Sequence, residues 1–196
     1  SQQLLGEEPV AVSIGLCGSF WATGKGHGTD RALAAGLMGF HADDERIPQS
    51  LEIARKKEIK IHFYKAEGRH THPNTAILTM EGKSGRKLEV IACSLGGGRI
   101  RICEIDGLEA NFCGEYPTLV VHNLDQPGHV TEVTSMLAHK SVNIATMQLY
   151  RDSRGGNAVM VIECDQEVPA ESIEWLAHLE GILKVTYLSL ELNGGV

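Results

Sequence analysis

The stretch from 118 to 191 constrains the fold more than any other part of the chain, because its hydrophobic period switches four times in a fixed order. TLVVHN (118–123) reads as a strand and LDQPGH as a turn. Val130, Val133 and Leu137 then fall on one helical face that runs to Lys140. IATMQLYR (144–151) alternates, with Ala145, Met147 and Leu149 directed inward. Ser153-Arg154-Gly155-Gly156-Asn157 makes a hairpin loop, and AVMVIECD (158–165) is the returning strand. Pro169 opens a helix carrying Ile173, Leu176 and Leu179, and ILKVTYLSLE (182–191) closes as a strand. The order β-α-β-β-α-β specifies a ferredoxin-like split βαβ unit. Pro117 cannot donate to a central ladder and restricts Tyr116, which sets an expected boundary between domains spanning 1–115 and 117–196.

The first domain has another rhythm. VAVSIGLC (10–17) is a buried strand, followed by GSFWATGKGHGTD (18–30), a glycine-rich loop with one lysine. Thr29 or Asp30 is expected to cap a helix whose packing face is Ala32, Leu33, Ala35, Gly36 and Leu37. A second helix starts at Pro48, with Ile47, Leu51 and Ala54 on one side. IKIHFYK (59–65), TAILTM (75–80), KLEVIACS (87–94) and RIRICEI (99–105) are strands joined by glycine-containing turns. Early helices and crowded strands predict an α+β domain with a mainly antiparallel sheet.

The strand–loop–helix at Gly18–Asp30 raises the question of an anion. A phosphate-binding P-loop needs four residues between its glycines and a hydroxyl after the lysine. Here Gly18 and Gly24 are separated by five residues, and Gly26 follows Lys25. The dinucleotide fingerprint fails as well, since no βαβ repeat follows. Backbone N–H groups at a helix start together with Lys25 would suit a carboxylate; a solvated lysine on a tight turn accounts for the same residues. Gly96-Gly97-Gly98 beside Arg99 and Arg101 reads as a glycine hairpin or as a second anion nest. His70 and His72 share a strand face, as an exposed pair or as part of a metal site. No nucleophile constellation is visible.

Composition narrows the function classes. A net charge of −7 with scattered Lys and Arg argues against nucleic acid as the main partner. No apolar run approaches the ~20 residues of a membrane span. The chain opens on polar Ser1-Gln2-Gln3, and its five cysteines form no CxxC pair, so a cytoplasmic location is expected. Cys93, Cys103 and Cys113 read as core cysteines, with a three-cysteine iron–sulfur site as the alternative.

HNLDQPGHV (122–130) and SVNIATMQL (141–149), within the βαββαβ order, resemble the ACT domain, an amino-acid-sensing module of metabolic enzymes. The resemblance implies a small amino-acid effector bound at Asn123, Asp125, Gly128 and Asn143, and a homodimer formed through the ACT domain. Upstream, GSFWATGKGHGTDRALAAGLMGF, DDERIPQSLEIA, HPNTA and SLGGGRIRICEIDG occur in an order similar to the beta subunits of bacterial iron–sulfur-dependent L-serine dehydratases. The first domain then corresponds to that family's allosteric-substrate-binding domain, also found before an ACT domain in some phosphoglycerate dehydrogenases. The family's Ser/His-rich opening segment is not found ahead of the first strand. What the resemblance implies is an L-serine ammonia-lyase giving pyruvate and ammonia. Its [4Fe–4S] cluster is expected on a partner alpha subunit, with iron acting as Lewis acid on the substrate hydroxyl. This chain alone is expected to be inactive, with Lys25, His27, Thr29 and Asp30 facing the partner's active site. The alternative is a stand-alone regulatory module that binds L-serine without catalysis.

Overall fold

The computed structural model describes residues 2–67 and 72–188. Contacts divide the chain into two compact units, Ser1–Gly107 and Leu108–Val196, each α+β with mostly antiparallel strands.

In the first unit a short helix α1 (Gln2–Leu5) leads into β1 (Pro9–Leu16), the central strand. Helices α2 (Gly18–His27), α3 (Thr29–Leu37) and α4 (Ser50–Lys56) carry the chain to β2 (Lys60–Lys65). A 3-10 turn at Ile47–Gln49 precedes α4. β2 lies parallel to β1, with Val12 opposite Ile61, because three helices intervene and bring the chain back in the same direction. β3 (Thr75–Gly82), β4 (Lys87–Gly96) and β5 (Arg99–Ile105) follow as an antiparallel meander, giving the order β2-β1-β3-β4-β5. The β4–β5 turn places Gly96 opposite Arg99. Gly97 and Gly98 between them have φ of 62° and 78°, so the glycines serve a two-residue hairpin.

Three expectations change here. The glycine-rich segment is helix rather than loop: α2 begins at Gly18, one residue after β1 and its N-cap Cys17. It ends because Gly28 takes the left-handed conformation (φ 72°), where its N–H reaches the Gly24 and Lys25 carbonyls. Gly24 is buried because α3 approaches closely; a Cβ there would lie 3.2 Å from Thr29 Cβ. The buried face of α3 is Ala34, Ala35 and Leu37, with Ala32 exposed. Neither Thr29 nor Asp30 caps it; Gly28 occupies the N-cap, and Asp30 Oδ1 accepts the Arg31 N–H at 2.9 Å. Ser50, fully buried, ties α4 to α3 by donating to the Arg31 carbonyl at 2.7 Å. Of the histidine pair, His70 lies outside the described residues.

The second unit contains β6 (Leu108–Phe112), β7 (Thr118–Leu124), α5 (His129–His139), β8 (Ile144–Arg151), β9 (Asn157–Cys164), α6 (Ala170–Ala177) and β10 (Ile182–Leu188). The sheet order β10-β7-β9-β8, antiparallel throughout, is that of the expected βαββαβ unit. Its core joins Leu119, Val121, Met160 and Ile162 of the sheet to Val133, Leu137 and Leu176 of the helices. On α5 the buried positions are His129, Val133, Met136 and Leu137, and Val130 is exposed instead. On β8, Ala145 and Leu149 also turn out exposed, because β8 is the edge strand and a register shift lies between Ile144 and Thr146. β6 was not foreseen. It adds to this unit through Gln148 Nε2, which donates to the Asn111 carbonyl at 2.9 Å. The Cys113 N–H also reaches the buried Glu163 carboxylate, at 3.4 Å. The compact division therefore falls ahead of Tyr116-Pro117. Among the described residues no helix is long and apolar enough to cross a membrane.

Candidate functional site

The four residues expected to meet an anion in the first unit separate into two pairs at the α2–α3 corner. Lys25 and Asp30 line a cavity of about 220 Å³ with Leu16, Phe20, Trp21 and Phe63. His27 and Thr29 instead face a larger one, about 430 Å³, floored by β3, β4 and β5 residues such as Leu78, Cys93 and Ile102. The start of α3 is not an empty anion seat, since Asp30 in its first turn already complements the positive helix end. The smaller cavity instead offers one cation, one carboxylate and three aromatic walls. Such a set suits a small zwitterion better than a phosphate.

In the second unit the chain turns from β7 into α5 through residues 124–128. Asn123 is buried; its Nδ2 donates to the Leu124 carbonyl at 2.6 Å, while Oδ1 has no partner. Gly128, with φ 111°, is the N-cap of α5, and its carbonyl accepts the Glu132 N–H at 2.9 Å. Asp125 clasps the β8–β9 hairpin loop. Its Oδ2 accepts the Gly155 N–H and Arg151 Nη1, both at 2.9 Å, and its own N–H donates to the Gly156 carbonyl at 2.8 Å. The Gly155 N–H first, and then Arg151, hold the Asp125 carboxyl below the usual carboxylate range.

Asn143 is not with them. Its Nδ2 donates to Asp165 at 2.6 Å and its N–H to Gln166 at 2.7 Å. The registers put Asn123 opposite Ala158 and Ile144 opposite Cys164, so Asn143 lies at the other end of the sheet. At ~3.3 Å per residue the separation is ~23 Å within one chain. Sequence reasoning missed His129, Gly181 and Arg151. His129 Nε2 is buried without a partner, and Gly181 lies so close that a Cβ there would sit 2.5 Å from it. The histidine directly after Pro127-Gly128 was the available signal.

Residues 1–56 match the family described as serine dehydratase beta chain. The chain is 39% identical to the probable L-serine dehydratase, beta chain, of Bacillus subtilis, over 96% of this chain and 86% of that one. It belongs to the L-serine dehydratase beta-chain family. The L-serine dehydratase beta chain of Peptoniphilus asaccharolyticus is 35% identical over 79% of this chain and 70% of its own length. More distantly, the D-3-phosphoglycerate dehydrogenase of Methanocaldococcus jannaschii is 28% identical over 70% of this chain, though only 26% of that enzyme is covered.

The cysteines of this family member do not fit a [4Fe–4S] cluster. Cys93 and Cys103 are neighbours, but Cys113 Sγ lies 3.5 Å from the Glu163 carboxylate, and Cys17 and Cys164 are buried in the cores. Burial pushes the Cys164 thiol up to about 11, the opposite of what an iron ligand requires. Among the described residues no three His, Cys, Asp or Glu side chains are grouped to hold a metal ion.

Proposed function

We propose that this chain is the beta component of a [4Fe–4S]-dependent L-serine ammonia-lyase that releases pyruvate and ammonia. A partner alpha subunit holds the cluster, and the chain is inactive without it. The observation carrying this reading is the 39% identity to a probable L-serine dehydratase beta chain, over 86% of that chain. The chain's own contribution is to bind the small zwitterion and respond to it. Lys25 and Asp30 offer opposite charges to a carboxylate and an ammonium in the first unit.

The β7–α5 turn is the effector site of this reading. Asn123 Oδ1 lacks a partner, and a buried acceptor left so costs about 1–3 kcal/mol, which a ligand ammonium would recover. Asn143 reaches such a ligand only from a second copy, consistent with a homodimer through the ACT sheet. Leu149 (48% exposed) on β8 and Leu183 (55%) on β10 leave both sheet edges with apolar surface for that pairing. The similarity to a phosphoglycerate dehydrogenase supports a second reading, a regulatory module that binds L-serine without any part in catalysis.

Calorimetric titration with L-serine tests the effector site. Asp125→Ala removes both the carboxylate and the hairpin clasp, and is expected to weaken binding at least about tenfold. Because the folded Asp125 carboxyl is depressed, the clasp is fully formed above the unfolded value near 3.9 and is lost only as pH falls through the folded one. Affinity should therefore be level from about pH 8 to pH 5 and decline below about pH 4. No heat at millimolar L-serine, or an unchanged affinity in Asp125→Ala, removes this turn from effector binding.

A further inference from the structure

Away from the 220 Å³ cavity and the β7–α5 turn, the first unit holds two thiols in contact. Cys93 on β4 and Cys103 on β5 have their Sγ atoms 3.8 Å apart, the thiol–thiol contact among the described residues. An irregularity in the ladder produces it. Cys93 stands opposite Arg101, Ala92 opposite Ile102 and Ile91 opposite Glu104, so Cys103 is the unpaired extra residue of a bulge. In an unbroken ladder the two would be diagonal neighbours about 7–8 Å apart. A bulge bends its strand and re-aims the extra side chain, here toward Cys93. Cys93 is 5% exposed and forms part of the wall of the 430 Å³ cavity, while Cys103 is half-buried and the more accessible of the two.

We propose that Cys93 and Cys103 form a dithiol–disulfide couple that a hydroperoxide closes. The Cys103 thiolate attacks one peroxide oxygen; the O–O bond breaks, leaving a sulfenic acid on Cys103 and an alcohol, or water when the oxidant is hydrogen peroxide. The Cys93 sulfur then attacks the Cys103 sulfur, the S–O bond breaks, and the oxygen leaves as water with the Cys93 proton. Two thiols lose two protons and two electrons, and the peroxide takes up both. The bond is selective, because Cys113 faces a carboxylate and Cys17 and Cys164 are buried elsewhere.

The setting also fixes the rate. Burial first, then the neighbouring Cys93, pushes the Cys103 thiol up to about 11. Little thiolate exists at neutral pH, so closure is slow there and speeds up about tenfold per pH unit. Closing the bond pulls the Cys93 sulfur toward β5 and staples the two strands at the bulge beneath the His27–Thr29 corner.

The test uses the whole chain, purified without oxygen, treated with hydrogen peroxide at a series of pH values, denatured and alkylated. Expected are three alkylated cysteines of the five, loss of two hydrogens in the intact mass, and one cross-linked peptide pair containing Cys93 and Cys103. A thiol reductant should restore all five. Cys93→Ser and Cys103→Ser should each abolish the cross-link, and the rate should climb with pH. Five alkylated cysteines after treatment, an oxidised Cys103 without a cross-link, or a bond to another cysteine would overturn the proposal.

Discussion

Leu137→Ala is expected to cost the second unit about 2–5 kcal/mol. Leu137 is fully buried on α5, where it fills the space between that helix and Leu119, Val121, Met160 and Ile162 of the sheet. Removing three carbons there leaves a cavity that β-strand neighbours, held by ladder bonds on both sides, cannot close. The loss reads directly in urea unfolding followed by Trp175 on α6, in a background where Trp21 is replaced by Phe. The midpoint should fall with little change in slope. A shift worth less than about 1 kcal/mol would mean that α5 is not docked on the sheet as described.

The second large effect is at Gly18, where β1 passes into α2. Its φ is +48°, and a Cβ would lie 2.7 Å from the Pro73 carbonyl oxygen and 2.8 Å from Pro73 Cα, both backbone atoms. Neither partner can rotate away, so Gly18→Ala combines backbone strain with overpacking and should cost about 2–5 kcal/mol in the first unit. Gly26, in the same helix, has open space around its Cβ position and no left-handed φ. There Ala should raise stability by about 0.5–1 kcal/mol through helix propensity. With Trp21 as reporter and Trp175 replaced by Phe, opposite signs at the two glycines are the expected pattern. Equal signs would contradict the α2 geometry.

The glycines of this segment separate what is legible in the sequence from what is not. From β7 onward, local period, turn residues and helix starts all agree, so element order and sheet type are legible in the sequence. Individual faces were less secure: His129 rather than Val130 is buried, and Leu149 sits on an exposed edge. In the first unit, glycine density from Gly18 to Gly28 reads as loop on propensity. Tertiary packing overrides that preference, because Gly24 is the price of close contact with α3 and Gly28 is a helix terminator. The parallel β1–β2 pair was hidden because its connection is that same misread segment. β6, five residues long, directly follows Asp106-Gly107, whose positive φ values of 51° and 77° make that pair the turn signal that was available.

The site residues show the same division. Residue types at the β7–α5 turn were recognisable from the Asn-Leu-Asp-Gln-Pro-Gly run, since each has a defined backbone role. Their spatial grouping was not, because motif spacing carries no register: Asn143 is joined to Asp165 at the far end of the sheet. The separation of Lys25 and Asp30 from His27 and Thr29 has a similar origin. Each pair takes one residue from α2 and one from α3, on either side of the Gly28 break, and nearby positions on each helix face different cavities. Likewise, the Cys93–Cys103 contact depends on a bulge, which alternation along RIRICEI does not announce.

The division of labour proposed for the pair leaves this polypeptide to bind the amino acid and another chain to hold the reactive iron. Oxygen-free co-expression with an alpha subunit, followed by a pyruvate assay on L-serine, tests it most directly. The two chains are expected to purify together and release pyruvate, this chain alone to release none, and the alpha subunit alone to fall far below the pair. Pyruvate from this chain alone, or a full rate from the alpha subunit without it, would overturn that division.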